Sequence, residues 1–526
     1  MHRCLGIVEM VHLICTFLLL DSARGTLAAL ARVCRFFEGP ALDVLWSEQD
    51  TLRNLLYCMP MDLVKSFEYG MAALQLLRPI VADDWDRVSA YTQRVKHLLS
   101  SPGDFHHGPQ SDAMGALSAS CPEDYFFPNL RTLGWAYDQN FGHIRMLLCP
   151  SLERISIVCA LHDTENNLSI LPTIARKCPA LKKFAISVNG NTAGSSRAIS
   201  SFIRTVPTIE NLRIEGAAML DWTTVFAMAD PPALRILDVS ALPHIIPAAP
   251  PSSTPQFLAL QSVSIGSSDV LPATQFLKMF GERPLAKFEV TIRQCVSADQ
   301  TEAFHIALSA ALSHPTLAVL RRATRVNSYL FGNSCIRPLL CFGNLKTVSI
   351  TSPLGFTIDN SIVAQMAKAW PQIEDLVIES TTRYQRPNLT LECLDAFAQH
   401  CSQLRSLRLT LDGVALPSME AARGYQRRLT SLHVGYSDVS SDTARVSGFL
   451  RALFPSLTQI VAATPIITFH DARRLQEMFT MPMRWRAVEY ELKGVPVLPS
   501  VSPRRGEIPT TRSPAELLRL LQADAE

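Results

Sequence analysis

Neither sign of charge predominates in this sequence, and little of it is charged at all. Its 49 Lys and Arg stand against 47 Asp and Glu, a formal net charge of +2, and only 18% of residues carry a charge. Such balance gives no electrostatic reason to expect nucleic acid or an anionic membrane as the main partner. Closely paired cysteines are missing too, since the 13 cysteines include no Cys-x-x-Cys. They outline neither a disulfide framework nor a zinc site, and they read as buried thiols of a reducing compartment. His106-His107 has no cysteine nearby, so no metal is expected there. Also absent are the Gly-rich phosphate loop, Gly-x-Ser-x-Gly and His-Glu-x-x-His. Without them enzyme chemistry has no residue to stand on, and no cofactor is expected.

What is present is apolar. Hydrophobic residues make up 48% of 526, enough for several ordinary domains or for one extended repeat array with an adaptor. A run from Val11 to Leu20 follows His2 and Arg3. It is shorter than the ~20 apolar residues that span a bilayer. Two readings stay open: a signal-peptide core ending at Asp21-Ser22-Ala23-Arg24-Gly25, or an amphipathic helix with Val8, Val11, Ile14 or Cys15, and Leu18 on one face. The sequons Asn167-Leu168-Ser169 and Asn388-Leu389-Thr390 are no more than chance provides at this length. A second helical run, Leu27–Phe37, keeps Leu27, Leu30, Val33 or Cys34, and Phe37 on one face. Gly39-Pro40 is expected to end it. A third is expected from Ala41 through Trp46 to about Cys58, before Met59-Pro60. Three such short helices make a core so small that a partner is expected to complete it.

Leu5-Gly6-Ile7-Val8-Glu9, the run Val11–Leu18, Leu27–Phe37 and Leu42-x-x-Leu45-Trp46 resemble the F-box. The most specific part is Leu30–Phe37 followed by Trp46. Where that family usually has a proline before its first acidic residue, this sequence has Val8. With Asp84-Trp85-Asp86-Arg87, the layout is similar to F-box proteins of mushroom-forming fungi. The resemblance implies docking on a Skp-type adaptor, and through it on a cullin of a ubiquitin ligase. The adaptor-facing residues would be Leu5, Ile7, Val8, Val11, Ile14, Leu18, Leu27, Leu30, Val33 and Trp46; the competing role for each is the module's own core. The role implied is a substrate receptor (SCF type) in the cytoplasm or nucleus. A leucine-rich-repeat scaffold with a degenerate F-box is the alternative.

From Phe127 onward a short phrase recurs, as in Pro150-Ser151-Leu152-Glu153-Arg154-Ile155-Ser156-Ile157 and Pro179-Ala180-Leu181-Lys182-Lys183-Phe184-Ala185-Ile186. Its first apolar residue falls at 130, 152, 181, 209, 234, 260, 285, 317, 345, 373, 404, 429 and 457. Those 13 copies span 327 residues, 12 intervals of about 27 each, within the leucine-rich-repeat range of roughly 20 to 29. Helical segments lie between them, among them Ile170–Lys177, Glu302–Ser313 and Ile362–Trp370. The copy at 317 is irregular, because Arg321 and Arg322 follow Leu320 where an apolar residue is due. Three residues past the last strand apolar, Asn189 fits the usual Asn or Cys, whereas Ala217, Pro353 and Asp412 do not. The side-chain ladder at that position is expected to be missing.

The fold expected is therefore α/β: a small three-helix F-box, a helical linker, then a right-handed solenoid of strand and helix. By residue number this gives 1–50 as F-box, 51–100 as helical linker with Val88, Tyr91, Val95 and Leu98 at helical spacing, and 101–126 as a loop. The solenoid takes 127–493, and a Pro-rich tail with a short terminal helix takes 494–526. Strand alternation sends the residues between the apolar positions to the concave side. Candidate target contacts there are Arg154, Lys183, Asn211, Arg213, Glu215, Lys287, Glu289, Asp375, Glu379, Arg408 and His433.

Overall fold

The computed structural model describes residues 6–21, 23–66, 74–99, 111–121, 124–136, 141–159, 167–188, 193–216, 220–246, 257–280, 284–295, 297–380, 387–418, 420, 422–463 and 472–494. They belong to two compact units, Met1–Gln385 and Arg386–Glu526.

The first unit opens on three helices, α1 (Val8–Leu20), α2 (Arg24–Leu30) and α3 (Arg35–Ser47). Val11 and Cys15 of α1, Leu27 of α2, and Phe37, Ala41 and Val44 of α3 close a small core. The break between the second and third helices falls at residues 31–34 rather than at Gly39-Pro40, because Cys34 takes an extended conformation that caps α3. Pro40 then lies inside α3 and is buried. It withholds one backbone donor, while its ring is shielded from solvent. The helix also stops at Ser47, well short of Cys58. The chain turns extended there, and β1 (Glu48–Gln49) pairs in parallel with β4 (His97–Leu99).

Between those strands lie a short helix (Arg53–Leu56), an antiparallel pair β2 (Val64–Ser66) and β3 (Leu74–Leu76), and a helix over Asp86–Thr92. The stretch 51–100 is thus mixed rather than helical: Val88 is buried in a helix, but Leu98 is buried in a strand. A helix, Ser111–Ser120, likewise stands within the stretch read as loop. Arg78 donates to both carboxylate oxygens of Asp84 at 2.8 Å. Those bonds, with the Val81 N–H, hold Asp84 down at about 2.

The ladder continues in chain order through β5 (Thr132–Trp135), β6 (Arg154–Cys159), β7 (Lys183–Val188), β8 (Asn211–Glu215), β9 (Ile236–Val239), β10 (Ser262–Ser267), β11 (Lys287–Cys295), β12 (Val319–Asn327), β13 (Thr347–Ser352) and β14 (Asp375–Ser380). All these neighbours pair in parallel. The second unit carries β15 (Ser406–Leu409), β16 (Ser431–Gly435) and β17 (Gln459–Ala462), also parallel. Each of the 13 phrases opens two residues before one of the strands β5–β17. Helices over Leu171–Lys177, Ala298–Ala311, Asn360–Ala369 and Thr443–Leu453 return the chain between strands, close to where the sequence places them. Strand alternation is clear on β7: Phe184, Ile186 and Val188 are buried, while Lys183, Ala185 and Ser187 are not.

Small polar side chains do line the strand ends, one residue earlier than the usual position. Two residues after the last strand apolar stand Ser267, Ser352 and Ser380, all buried. Ser380 Oγ donates to the Pro353 carbonyl at 3.1 Å, and Asn327 Nδ2 donates to Ser352 Oγ at 2.7 Å. Asn189 lies outside the described residues. The cysteines among the described residues are free thiols, most of them buried. Burial pushes Cys178, Cys393 and Cys401 up to about 12, so they pack as protonated side chains.

Candidate functional site

Two surfaces of the first unit stand out, one apolar and one charged. On α1 only Val11 and Cys15 are buried. Exposed beside them are Ile7, Val8, Met10, Leu13, Ile14, Phe17 at 60% and Leu20 at 74%. Val33, in the break between α2 and α3, and Phe36 of α3 add to this exposed set. Of the ten adaptor-facing candidates, Ile7, Val8, Ile14 and Val33 are exposed, Leu18 and Leu30 are half-buried, and Val11 and Leu27 are shut in the module's core. Trp46 is half-buried and stacks on Tyr91, ring centroids 4.6 Å apart. Leu5 lies outside the described residues. Met10, Leu13, Phe17 and Leu20, missed by sequence reasoning, complete the face; their signal was the unbroken apolar run, wider than one helix stripe. Asp43 pairs with Arg94, and Ser47 O accepts from Lys96 N at 2.9 Å. The three helices are therefore fastened to the start of the ladder.

The second surface is the open face of the ladder. None of the eleven candidate target contacts is buried, as strand alternation requires. In the first unit they gather into ion pairs. Arg213 pairs with Glu215 on its own strand and, at 3.3 Å, with Asp238 directly across on β9. Glu289 takes Lys287 at 3.2 Å and Arg321, its cross-strand neighbour on β12, at 3.1 Å. Asp238, Arg293, Arg321 and Arg325 belong to this face and were not singled out. The signal was there: Phe288, Val290 and Ile292 keep the period of two past the six-residue phrase, which sends Arg293 outward. Asp375 and Glu379 lie further along on β14, and Arg408 and His433 belong to the second unit.

Two depressions open on this face. One, of about 540 Å³, is lined by Arg213, Glu215, Asp238, Arg293 and Arg325 around a floor that includes Gly216, Ser240 and Gly266. The other, of about 250 Å³, is lined by Thr132, Arg154, Ser156, Lys183, Asn211 and Arg213. The floor requires its glycines: Gly216 has φ +106°, and a Cβ on Gly266 would stand 1.8 Å from the Ser240 carbonyl oxygen.

Behind β12 lies a buried polar group. Arg322 fills the apolar position of its phrase at 2% exposure. Its Nη2 donates to Thr301 Oγ1 at 3.2 Å and its guanidinium lies 5.2 Å over the Phe331 ring. Nε and Nη1 have no hydrogen-bond partner among the described residues. Close by, His305 Nδ1 bonds the Cys335 carbonyl at 2.5 Å. Burial, and then the Arg322 charge, push His305 down to about 3.

Among the described residues no group of three or more His, Cys, Asp or Glu could hold a metal, and no helix is long and apolar enough to cross a membrane. The parallel ladder with helical returns is a leucine-rich-repeat solenoid. No family model and no curated protein matches the sequence. Among solved structures the chain is similar to one described as the crystal structure of the Rad7 and Elc1 complex in yeast, at 14% identity and TM-score 0.38, over 70% of this chain and 86% of that one. It is also similar to the leucine-rich repeat-containing protein LegL7 from Legionella pneumophila, at 11% identity and TM-score 0.31, over 69% and 96%. Both likenesses are distant, and the ladder carries the fold assignment by itself.

Proposed function

We propose that this chain is the substrate-recognition subunit of a cullin-type ubiquitin ligase, acting in the cytoplasm or nucleus. The N-terminal helices would dock a Skp-type adaptor and the open face of the ladder would hold a protein target. The protein would perform no chemistry of its own. It would raise the target's effective concentration beside the conjugating enzyme. The observation that supports the reading is the apolar face of α1. Leu13 and Phe17 stand exposed on the very residues that resemble an F-box, and Leu20 stands exposed just past them. An exposed cluster of this kind marks a protein-interaction surface, and each such side chain gains about 1.5–3 kcal/mol on full burial.

The test is pull-down and calorimetry with a purified Skp-type adaptor. The expected result is a stoichiometric complex whose Kd rises about 100-fold or more in Leu13→Asp/Phe17→Asp, with the far-UV circular dichroism unchanged. No complex with the intact chain would discard the ligase role and leave a repeat scaffold with a degenerate F-box.

A further inference from the structure

We infer that the open face between β5 and β12 is a docking trough for an extended acidic peptide segment, held by two cationic ends across a neutralised middle. This deepens the target-binding half of the function proposed above and rests on it, while remaining independent of the adaptor.

The two depressions adjoin at Arg213, which lines both, and together they make up the trough. Around it stand five cations, Arg154, Lys183, Arg213, Arg293 and Arg325, against the carboxylates of Glu215 and Asp238. Both carboxylates are engaged by Arg213. Four cations remain with no ion pair among the described residues. Arg154 and Lys183 sit side by side in register on β6 and β7, and Arg293 and Arg325 lie on β11 and β12. All four are exposed. With neighbouring strands about 4.8 Å apart, the four steps from β7 to β11 put roughly 20 Å between the two pairs. A strand-like peptide covers that in about six residues at ~3.3 Å each.

The floor between the pairs suits a backbone. Gly216, Ser240, Ser264 and Gly266 raise no bulk above it. The occupant favoured is a protein segment rather than a single-stranded nucleic acid. Base recognition leans on exposed aromatic rings for stacking, and the sole aromatic lining residue, Phe184, is 2% exposed.

The probe is a fluorescein-labelled twelve-residue peptide, Glu-Glu-Glu, six alternating Gly and Ser, Glu-Glu-Glu, titrated with the full chain by anisotropy at low salt. Parallel titrations use the same peptide with Lys for Glu, one with Gln for Glu, and a twelve-nucleotide oligouridylate. Expected is saturable binding of the acidic peptide at least tenfold tighter than of either control peptide. Its Kd should rise about tenfold in Arg293→Glu/Arg325→Glu and again in Arg154→Glu/Lys183→Glu. It should stay within twofold in Arg87→Glu, a single charge reversal on an exposed residue outside the trough. The milder Arg293→Gln/Arg325→Gln should give a smaller loss in the same direction. An unchanged urea midpoint checks that each variant is folded, so loss of peptide in a folded variant speaks to the trough, whereas failure of the intact chain to bind the adaptor speaks only to the ligase role. Equal binding of the three peptides, or equal losses in Arg87→Glu, overturns the proposal. Oligouridylate binding as tight as the acidic peptide and lost in the same variants would make the trough an RNA surface and overturn it as well.

Discussion

The N-terminal helices and the ladder treat the same kind of residue in opposite ways. On β11, Phe288, Val290 and Ile292 are each at most 2% exposed. On α1, thirteen residues long and almost wholly apolar, two side chains are buried and most of the rest face outward. The difference lies in neighbours, not in composition. Each repeat has another repeat on either side to cover its apolar face. The three helices have each other and the edge of the ladder, which covers one side only. Apolar surface left open in this way is where a partner gains the most by binding.

The largest expected effect breaks this comparison if it fails. Phe288→Ala removes a ring that is fully buried between repeats, and should lower stability by about 3–5 kcal/mol. Phe17→Ser removes a ring of the same size that is 60% exposed, and should change stability by no more than ~0.5 kcal/mol. Urea unfolding followed by circular dichroism measures both. Similar losses in the two variants would mean that α1 is packed against something and is not a free docking face.

Much of this contrast was legible in the residues, and the failures have physical causes. The ladder was readable because an alternating phrase of Leu-x-x-Leu-x-Leu can bury its face in only one way, and each of its copies became a strand. The pair β1 and β4 was not: Glu48–Gln49 is too short and too polar to show a period, and its strand state is set by pairing with His97–Leu98. Gly39-Pro40 misled because a local rule about proline was weighed against no tertiary gain, and the gain was burial of the ring within α3. The eleven candidate contacts are unburied, as the alternation implies. What single-residue reasoning could not provide was which charges neutralise each other, since Arg213 with Asp238 and Glu289 with Arg321 meet only across strands.

A smaller effect sharpens the comparison from the other side. The core of the N-terminal helices holds only apolar groups and Cys15, whereas the ladder buries the charge of Arg322 with no carboxylate paired to it and no hydrogen-bond partner for Nε and Nη1 among the described residues. A buried charge replaced by an apolar side chain of similar volume is often neutral or stabilising by about 1–4 kcal/mol. Arg322→Met should therefore hold or raise the urea midpoint, unlike any truncation of Phe288. A clear fall in the midpoint would show that the guanidinium contact with Phe331 and Thr301 outweighs desolvation, and that the irregular repeat is held by its charge.

The mildest effect is a pH dependence confined to the ladder. His305 is buried and neutral, its imidazole pushed down to about 3 by burial first and then by Arg322, against the pull of the Cys335 carbonyl. In the unfolded chain it titrates near its ordinary value of about 6.5. Between those values the unfolded state binds the extra proton, so the contribution of His305 to stability is whole above pH 6.5 and is lost as pH falls toward 3. Hydrogen exchange at pH 7 and pH 5 should show protection falling around β11–β13 while the amides of α1 and α3 keep theirs. In His305→Phe the ladder is weaker at both pH values, because the Cys335 carbonyl loses its partner, but the difference between them shrinks. Equal loss of protection in α1 and in β12 would place the acid sensitivity elsewhere and remove the buried histidine as its source.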